Sequence, residues 1–258
     1  MEGCDVMKYI IFDLDDTLLN KKGEITPFTY ETLKKYQKAG HILVINTARS
    51  LPYARKYVEE LKPNYSILNG GSLIVNENSE MIYGDLIDEE TTDALLKDLY
   101  SMVSKEGLSA ETTEGMYAWH PESTKQPAKF YDFSKPLTMK CFKILACSLD
   151  HDRLNEFADK YNLLYTPYYG GEWGRFTRKG ITKWSGIVEL VKITNGDLKD
   201  TITFGDDIGD LEMLQKAAVG VAMANSQPSV LSEMEPRTCA SYEDGVARFL
   251  LEHLPLEI

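Results

Sequence analysis

The chain has 258 residues, enough for one large domain or two unequal ones with ample core material. Hydrophobic residues make up 43% and charged residues 26%, the balance of an ordinary soluble globular protein. The net charge of −12, from 28 basic and 40 acidic side chains, disfavours nucleic acid or an anionic membrane as partner, although a local site can oppose that field for an anionic substrate. Met1-Glu2-Gly3-Cys4-Asp5 lacks the basic start and apolar run of a signal peptide, and no apolar stretch approaches the roughly 18–20 residues of a transmembrane helix. Cys4, Cys141, Cys147 and Cys239 show neither CxxC pairing nor metal-ligand spacing, which reads as reduced thiols and a cytoplasmic location.

The first predicted element is a strand over Tyr9–Phe12, running straight into Asp13-Leu14-Asp15-Asp16-Thr17. Thr26-Pro27 supplies a cap and a proline for a helix that ends at Gly40. His41–Asn46 is a second continuous apolar strand, Pro52–Leu61 a helix, and Tyr65–Leu68 a third strand ending in Asn69-Gly70-Gly71. Continuous apolar strands separated by helices indicate a doubly wound, Rossmann-like parallel sheet covered on both faces. From about residue 84 to 181 the texture changes. That stretch holds a helix over Thr91–Ser104, a polar loop near 120–136, a strand over Cys141–Cys147, a helix over Asp152–Tyr161 and the aromatic, Gly-rich TPYYGGEWGRF. The first grammar then returns, with a helix over Trp184–Lys192, a strand over Thr201–Phe204, a helix over Leu211–Ala217, a strand over Val219–Met223 and a closing helix over Gly245–His253. The expected organisation is a core of residues 1–83 and 182–258 carrying an inserted α/β module of residues 84–181.

Ligands of such sheets bind beyond the carboxyl ends of the strands. Four informative clusters lie there: Asp13/Asp15/Asp16, Thr47-Ala48-Arg49-Ser50, Asn69-Gly70-Gly71 and Gly205-Asp206-Asp207-Ile208-Gly209-Asp210. Neighbouring carboxylates repel and raise one another's pKa unless a cation sits among them. Two acidic clusters after two buried strands make an oxygen-only site suited to Mg²⁺, which shares its shell with a phosphate. One Asp is then free to attack phosphorus, and Asp15 is close enough to Asp13 to act as acid and base. Turns and caps account for one or two of these acids, Asp210 as the cap of the following helix among them, but not for both clusters. Thr47 can donate to a phosphate oxygen or form a local turn. Arg49 fits a phosphate contact or an ordinary surface arginine. Lys183 lies in the first turn of its helix, where the macrodipole disfavours a cation, and an anion in front of it would resolve that conflict.

In order along the chain, Asp13-Leu14-Asp15-Asp16-Thr17-Leu18, Thr47, Lys183 and Gly205-Asp206-Asp207-Ile208-Gly209-Asp210 resemble the four motifs of the haloacid dehalogenase superfamily. The long insert between Thr47 and Lys183 resembles the C2 cap of its Cof-type phosphatases, subfamily IIB, as do Asn69-Gly70 and Glu243-Asp244-Gly245-Val246. The resemblance implies a Mg²⁺-dependent phosphatase of small phosphorylated metabolites, sugar phosphates foremost. It makes Asp13 the nucleophile and Asp15 the general acid/base. The metal falls to Asp13, the main-chain carbonyl of Asp15, and Asp206, with Asp210 close by. Thr47 and Lys183 hold the phosphoryl group, with Ala48, Arg49, Asn69 and Gly70 bordering phosphate or substrate. Two departures stand out: Ala48 where relatives often carry Gly, and Gly209 where many carry Asn, which removes any side-chain contact from that position. The rival readings are a phosphomutase or phosphotransferase on the same fold and, from another class, an Asp-phosphorylated receiver-like signalling module, which needs neither Asp15 nor an insert. Oligomeric state is not legible.

Overall fold

The computed structural model describes residues 7–103, 105–123, 127–168, 171–235 and 237–256. Cys4, the rest of residues 1–6 and Ser104 lie outside the described residues. In chain order the elements are β1 (Tyr9–Phe12), α1 (Pro27–Lys38), β2 (Ile42–Asn46), α2 (Leu51–Leu61), β3 (Tyr65–Leu68), β4 (Leu73–Asn76) and β5 (Met81–Gly84). There follow α3 (Glu89–Met102), β6 (Leu108–Thr112), β7 (Gly115–Ala118), β8 (Ala128–Phe130), β9 (Cys141–Cys147), α4 (His151–Lys160), β10 (Leu163–Pro167) and β11 (Trp173–Arg178). The last are α5 (Lys183–Ile193), β12 (Thr201–Gly205), α6 (Leu211–Lys216), β13 (Val219–Ala222), the short α7 (Pro228–Leu231) and α8 (Gly245–His253). The chain divides into two compact units, Met1–Tyr83 with Thr182–Ile258, and Gly84–Ile181. Among the described residues, no helix is long and apolar enough to cross a membrane.

The first unit is built on a seven-stranded sheet in the order β13-β12-β1-β2-β3-β4-β5. Strands β13, β12, β1, β2 and β3 are parallel, and β4 turns back antiparallel on β3. All four residues of β1 are buried, as a strand covered on both faces requires. Register fixes the site: Phe12 stands opposite Phe204 on one side and Ile45 on the other. The chain ends of β1, β2 and β12 therefore come level, and Asp13 N–H donates to the Phe204 carbonyl at 3.1 Å. The sequence reading has no counterpart for β4 and β5, whose short runs are joined by a turn with Ser79 at φ 62°.

The second unit has a six-stranded sheet in the order β10-β11-β9-β6-β7-β8, antiparallel except for the β7–β8 pair. Its core packs Leu95, Leu96 and Leu99 of α3 and Leu154 and Phe157 of α4 with Ile144, Ala146 and Phe176 of the sheet. Both helices begin earlier than expected because an aspartate caps each: Asp88 accepts from Thr91 N–H at 2.8 Å and Asp150 from Arg153 N–H at 3.0 Å. TPYYGGEWGRF supplies the end of β10 and most of β11, where Gly174 leaves room for the Tyr165 ring that a Cβ would strike at 2.3 Å.

Candidate active site

Beyond β1 the chain enters a kinked turn over Leu14–Leu18 in which Asp15 is extended (φ −69°, ψ 130°) and Asp16 left-handed (φ 53°, ψ 9°). Leu14 and Leu18 anchor the turn in the core, so Asp13 stays buried at 5% exposure while Asp15 and Asp16 face outward. Thr17, which the sequence reading gave no role, donates its hydroxyl to Asp206 Oδ1 at 2.6 Å and ties the turn to the end of β12.

Gly205 closes β12, and only glycine fits: a Cβ there would lie 2.5 Å from the Asp210 Cβ. The close approach lets the Asp210 carboxylate fold back under the Gly205–Asp207 turn. Its Oδ2 accepts from the N–H groups of Asp206 and Asp207 at 3.0 and 3.2 Å. Asp210 does occupy the cap position of α6, but its side chain makes no capping bond there. Gly209 is exposed, so its departure from the family pattern falls at the rim of the turn.

Lys183 is the first residue of α5, held by a capping box of Thr182 and Ser185. Its Nζ lies 2.9 Å from Asp13 Oδ1 and 2.5 Å from Asp210 Oδ1, with 6% of the side chain exposed. The macrodipole conflict noted in the sequence is thus met by two carboxylates. Asn46, at the end of β2, donates to the Lys183 carbonyl at 3.0 Å and fixes this first turn. Gly71 (φ 116°) makes the placement possible, since a Cβ there would sit 2.1 Å from the Thr182 carbonyl oxygen. Gly186 permits the matching approach to Ile67, which a Cβ would meet at 2.6 Å.

Burial governs the electrostatics. It drives the Asp13 carboxyl well above its usual range, with Lys183 opposing and Asp210 adding to the rise. Asp206 is pushed up to about 7, chiefly by burial, with the Thr17 hydrogen bond opposing. Asp210 is raised by burial against the pull of Lys183. For Lys183 burial works against the charge, but Asp13 and Asp210 outweigh it and hold the ammonium protonated. Lys183 pairs with two of three buried carboxylates, and oxygens of Asp13, Asp206 and Asp210 lie within 4.8 Å of one another. An all-oxygen donor set with uncompensated negative charge fits a divalent cation.

The other sequence candidates gather beside this cluster. Thr47 is buried at the end of β2, and its hydroxyl accepts from Arg49 N–H at 3.2 Å. The turn over Asn69–Gly71 folds onto that loop: Asn69 N–H donates to the Arg49 carbonyl at 2.9 Å and Gly70 N–H to the Thr47 carbonyl at 3.0 Å. Ala48 is half-buried between them. The Arg49 guanidinium grips the Asp15 carboxylate with two nitrogens, Nε to Oδ2 at 2.8 Å and Nη2 to Oδ1. The Asp15 side chain is therefore paired with arginine and stands apart from the three clustered acids. Asn225, also absent from the sequence candidates, donates to the Asp16 carbonyl at 2.7 Å.

Residues 10–250 match the family of haloacid dehalogenase-like hydrolases. Among curated proteins, the chain is 24% identical over 263 residues to the 5-amino-6-(5-phospho-D-ribitylamino)uracil phosphatase YitU of Bacillus subtilis, covering 96% of this chain and 97% of that one. Among solved structures, TM0651 of Thermotoga maritima is similar with a TM-score of 0.81 at 19% identity, covering 97% of this chain and 98% of that chain. The subclass IIB sugar phosphatase BT4131 is similar with a TM-score of 0.77 at 20% identity, covering 95% and 98%. The chain belongs to the haloacid dehalogenase-like hydrolases, as a Cof-type member that cleaves phosphoric monoesters.

Proposed function

We propose that the protein hydrolyses small phosphorylated metabolites, sugar phosphates foremost, with Mg²⁺ as cofactor and an aspartyl-phosphate on Asp13 as intermediate. One observation carries the reading: Asp13, Asp206 and Asp210 converge with Lys183 at the ends of β1 and β12, where the buried negative charge exceeds the positive. Asp13, the main-chain carbonyl of Asp15, and Asp206 would hold Mg²⁺. Both oxygens of Asp210 already accept hydrogen bonds, so it orients Lys183 and the Asp206–Asp207 backbone beside the metal. Bound there, the cation would keep the carboxylates ionised and offset the charge of the phosphoryl oxygens.

The chain's own residues supply the rest. An Asp13 carboxylate oxygen attacks phosphorus as the bond to the leaving oxygen breaks, and Asp15 protonates that oxygen. Asp15 then takes a proton from water, the water oxygen attacks phosphorus, and the bond from Asp13 breaks to release phosphate. Lys183 and the Thr47 hydroxyl bind the phosphoryl oxygens through the transfer. Arg49, with Asn69, Gly70 and Ala48, borders the substrate, and it must let go of the Asp15 carboxylate for Asp15 to carry the proton. The phosphomonoester class is supported by the family, and the sugar-like leaving group by the sugar phosphatase and the ribityl phosphate enzyme among the similar proteins. A cytoplasmic setting fits the thiols of Cys141, Cys147 and Cys239, none of which is in a disulfide, and the charge of −12 argues against nucleic acid or anionic membrane as partner.

A panel of phosphorylated metabolites assayed for free phosphate with Mg²⁺ tests the proposal. Release from sugar phosphates without an added acceptor is expected. Transfer only to a second sugar would make the protein a phosphotransferase instead, and inertness toward every phosphomonoester would overturn the reading.

A further inference from the structure

The turn that carries Asp13 and Asp15 has an unusual backbone, and the structure shows what restrains it. Asp16 at φ 53° is in the left-handed region, where Asp is among the few non-glycine residues found. That conformation follows directly on Asp15 and joins the Asp13–Asp15 segment to the buried Thr17 and Leu18. The turn is fastened on two sides. On one, the Thr17 hydroxyl reaches Asp206. On the other, Asn225 Nδ2 donates to the Asp16 carbonyl at 2.7 Å, while Asn225 Oδ1 accepts from Ser241 N–H at 2.7 Å. Ser241 is itself tied into the fold, because the turn it opens ends at Asp244, whose carboxylate accepts from the Thr26 and Thr29 hydroxyls at the start of α1. A primary amide suits this position because its planar head both donates and accepts. A carboxylate of the same shape keeps only the bond to Ser241.

We propose that Asn225 is a positioning residue for the reaction: anchored on Ser241, its amide holds the Asp16 carbonyl and so keeps Asp13 and Asp15 in reacting geometry. The inference rests on the reading that Asp13 and Asp15 carry the chemistry. A displacement of about 1 Å at such a site can cost on the order of 10²-fold in rate.

The test compares wild type with Asn225→Ala and Asn225→Asp, using one phosphomonoester from the panel. Both variants are expected to lose about 10-fold or more in kcat with KM within about two-fold, since Thr47 and Lys183 are untouched. Amide hydrogen exchange in the peptide spanning residues 13–19 is expected to quicken in both. Asn225→Asp retains an acceptor for Ser241 N–H and is the variant to read should Asn225→Ala fail to fold. Wild-type kcat in Asn225→Asp would show that Asn225 only supports the Ser241 turn, and would overturn the proposal, as would unchanged exchange in residues 13–19. Exchange is read without substrate, so a wild-type protein inert toward phosphomonoesters would sink the functional reading and leave the Asn225 contact separately decided.

Discussion

The two units place buried charge in opposite ways. In the first, the strands carry no charged residue and the charges crowd past their ends, with Asp13, Asp206 and Asp210 against Lys183. In the second, charge sits within the strands: Glu111 of β6 and Lys143 of β9 are register partners, both buried, 3.3 Å apart. In that second arrangement a buried acid meets a buried base across neighbouring strands. The first leaves an excess of negative charge in a dry place, which is stable only if protons or a cation are taken up. Unbalanced buried charge marks where a ligand belongs; balanced buried charge marks structure.

Removing metal attacks that contrast most directly. EDTA is expected to abolish phosphate release and Mg²⁺ to restore it, with Ca²⁺ a poor substitute because its longer bonds and higher ligand number misplace Asp13. Full activity in metal-free protein would erase the distinction between the units. In the second unit, Lys143→Met alone is expected to destabilise by about 3–5 kcal/mol, because it removes the ammonium 3.3 Å from the buried Glu111 carboxylate. Adding Glu111→Leu to make the double variant is expected to recover most of that loss, with catalysis unchanged. Denaturant melts of the two proteins provide the check, and equal destabilisation in single and double variants would contradict a balanced pair. The smallest effect, though still large, is expected from Lys183→Ala: a fall in turnover of roughly 10²-fold, about 2.7 kcal/mol of barrier, in a protein shown folded by circular dichroism. Unchanged turnover would make the Lys183 pairs as purely structural as those of Lys143.

The same contrast explains what could be read from sequence. Strands β1, β2, β3, β12 and β13 are short, mostly apolar and free of charged residues, so the polar clusters after them were visible as strand ends with chemistry attached. Strands β6 and β7 were not legible: Leu108-Ser109-Ala110-Glu111-Thr112 reads as polar until Lys143, far along the chain, is placed opposite Glu111. Spacing alone could not show that Arg49 holds Asp15, or that Lys183 meets Asp13 and Asp210, because each pair is joined only by the crossing of distant strands and helices. Asn225 left no trace in sequence. One amide after a strand resembles any loop residue until its two partners are seen.

The contact of Gly71 with the Thr182 carbonyl has a consequence for how such a protein can diverge. It pins the residue at which the chain re-enters the first unit, one position before Lys183, by a contact made entirely within that unit. The intervening segment Gly84–Ile181 is then, thermodynamically, a long loop whose ends are already fixed. Closure entropy for such a loop rises by only about 0.6 kcal/mol for each doubling of length. Residues in the insert can be gained, lost or exchanged over generations with little penalty to the position of the lysine, so long as one hydrogen of Gly71 stays where a methyl group cannot go.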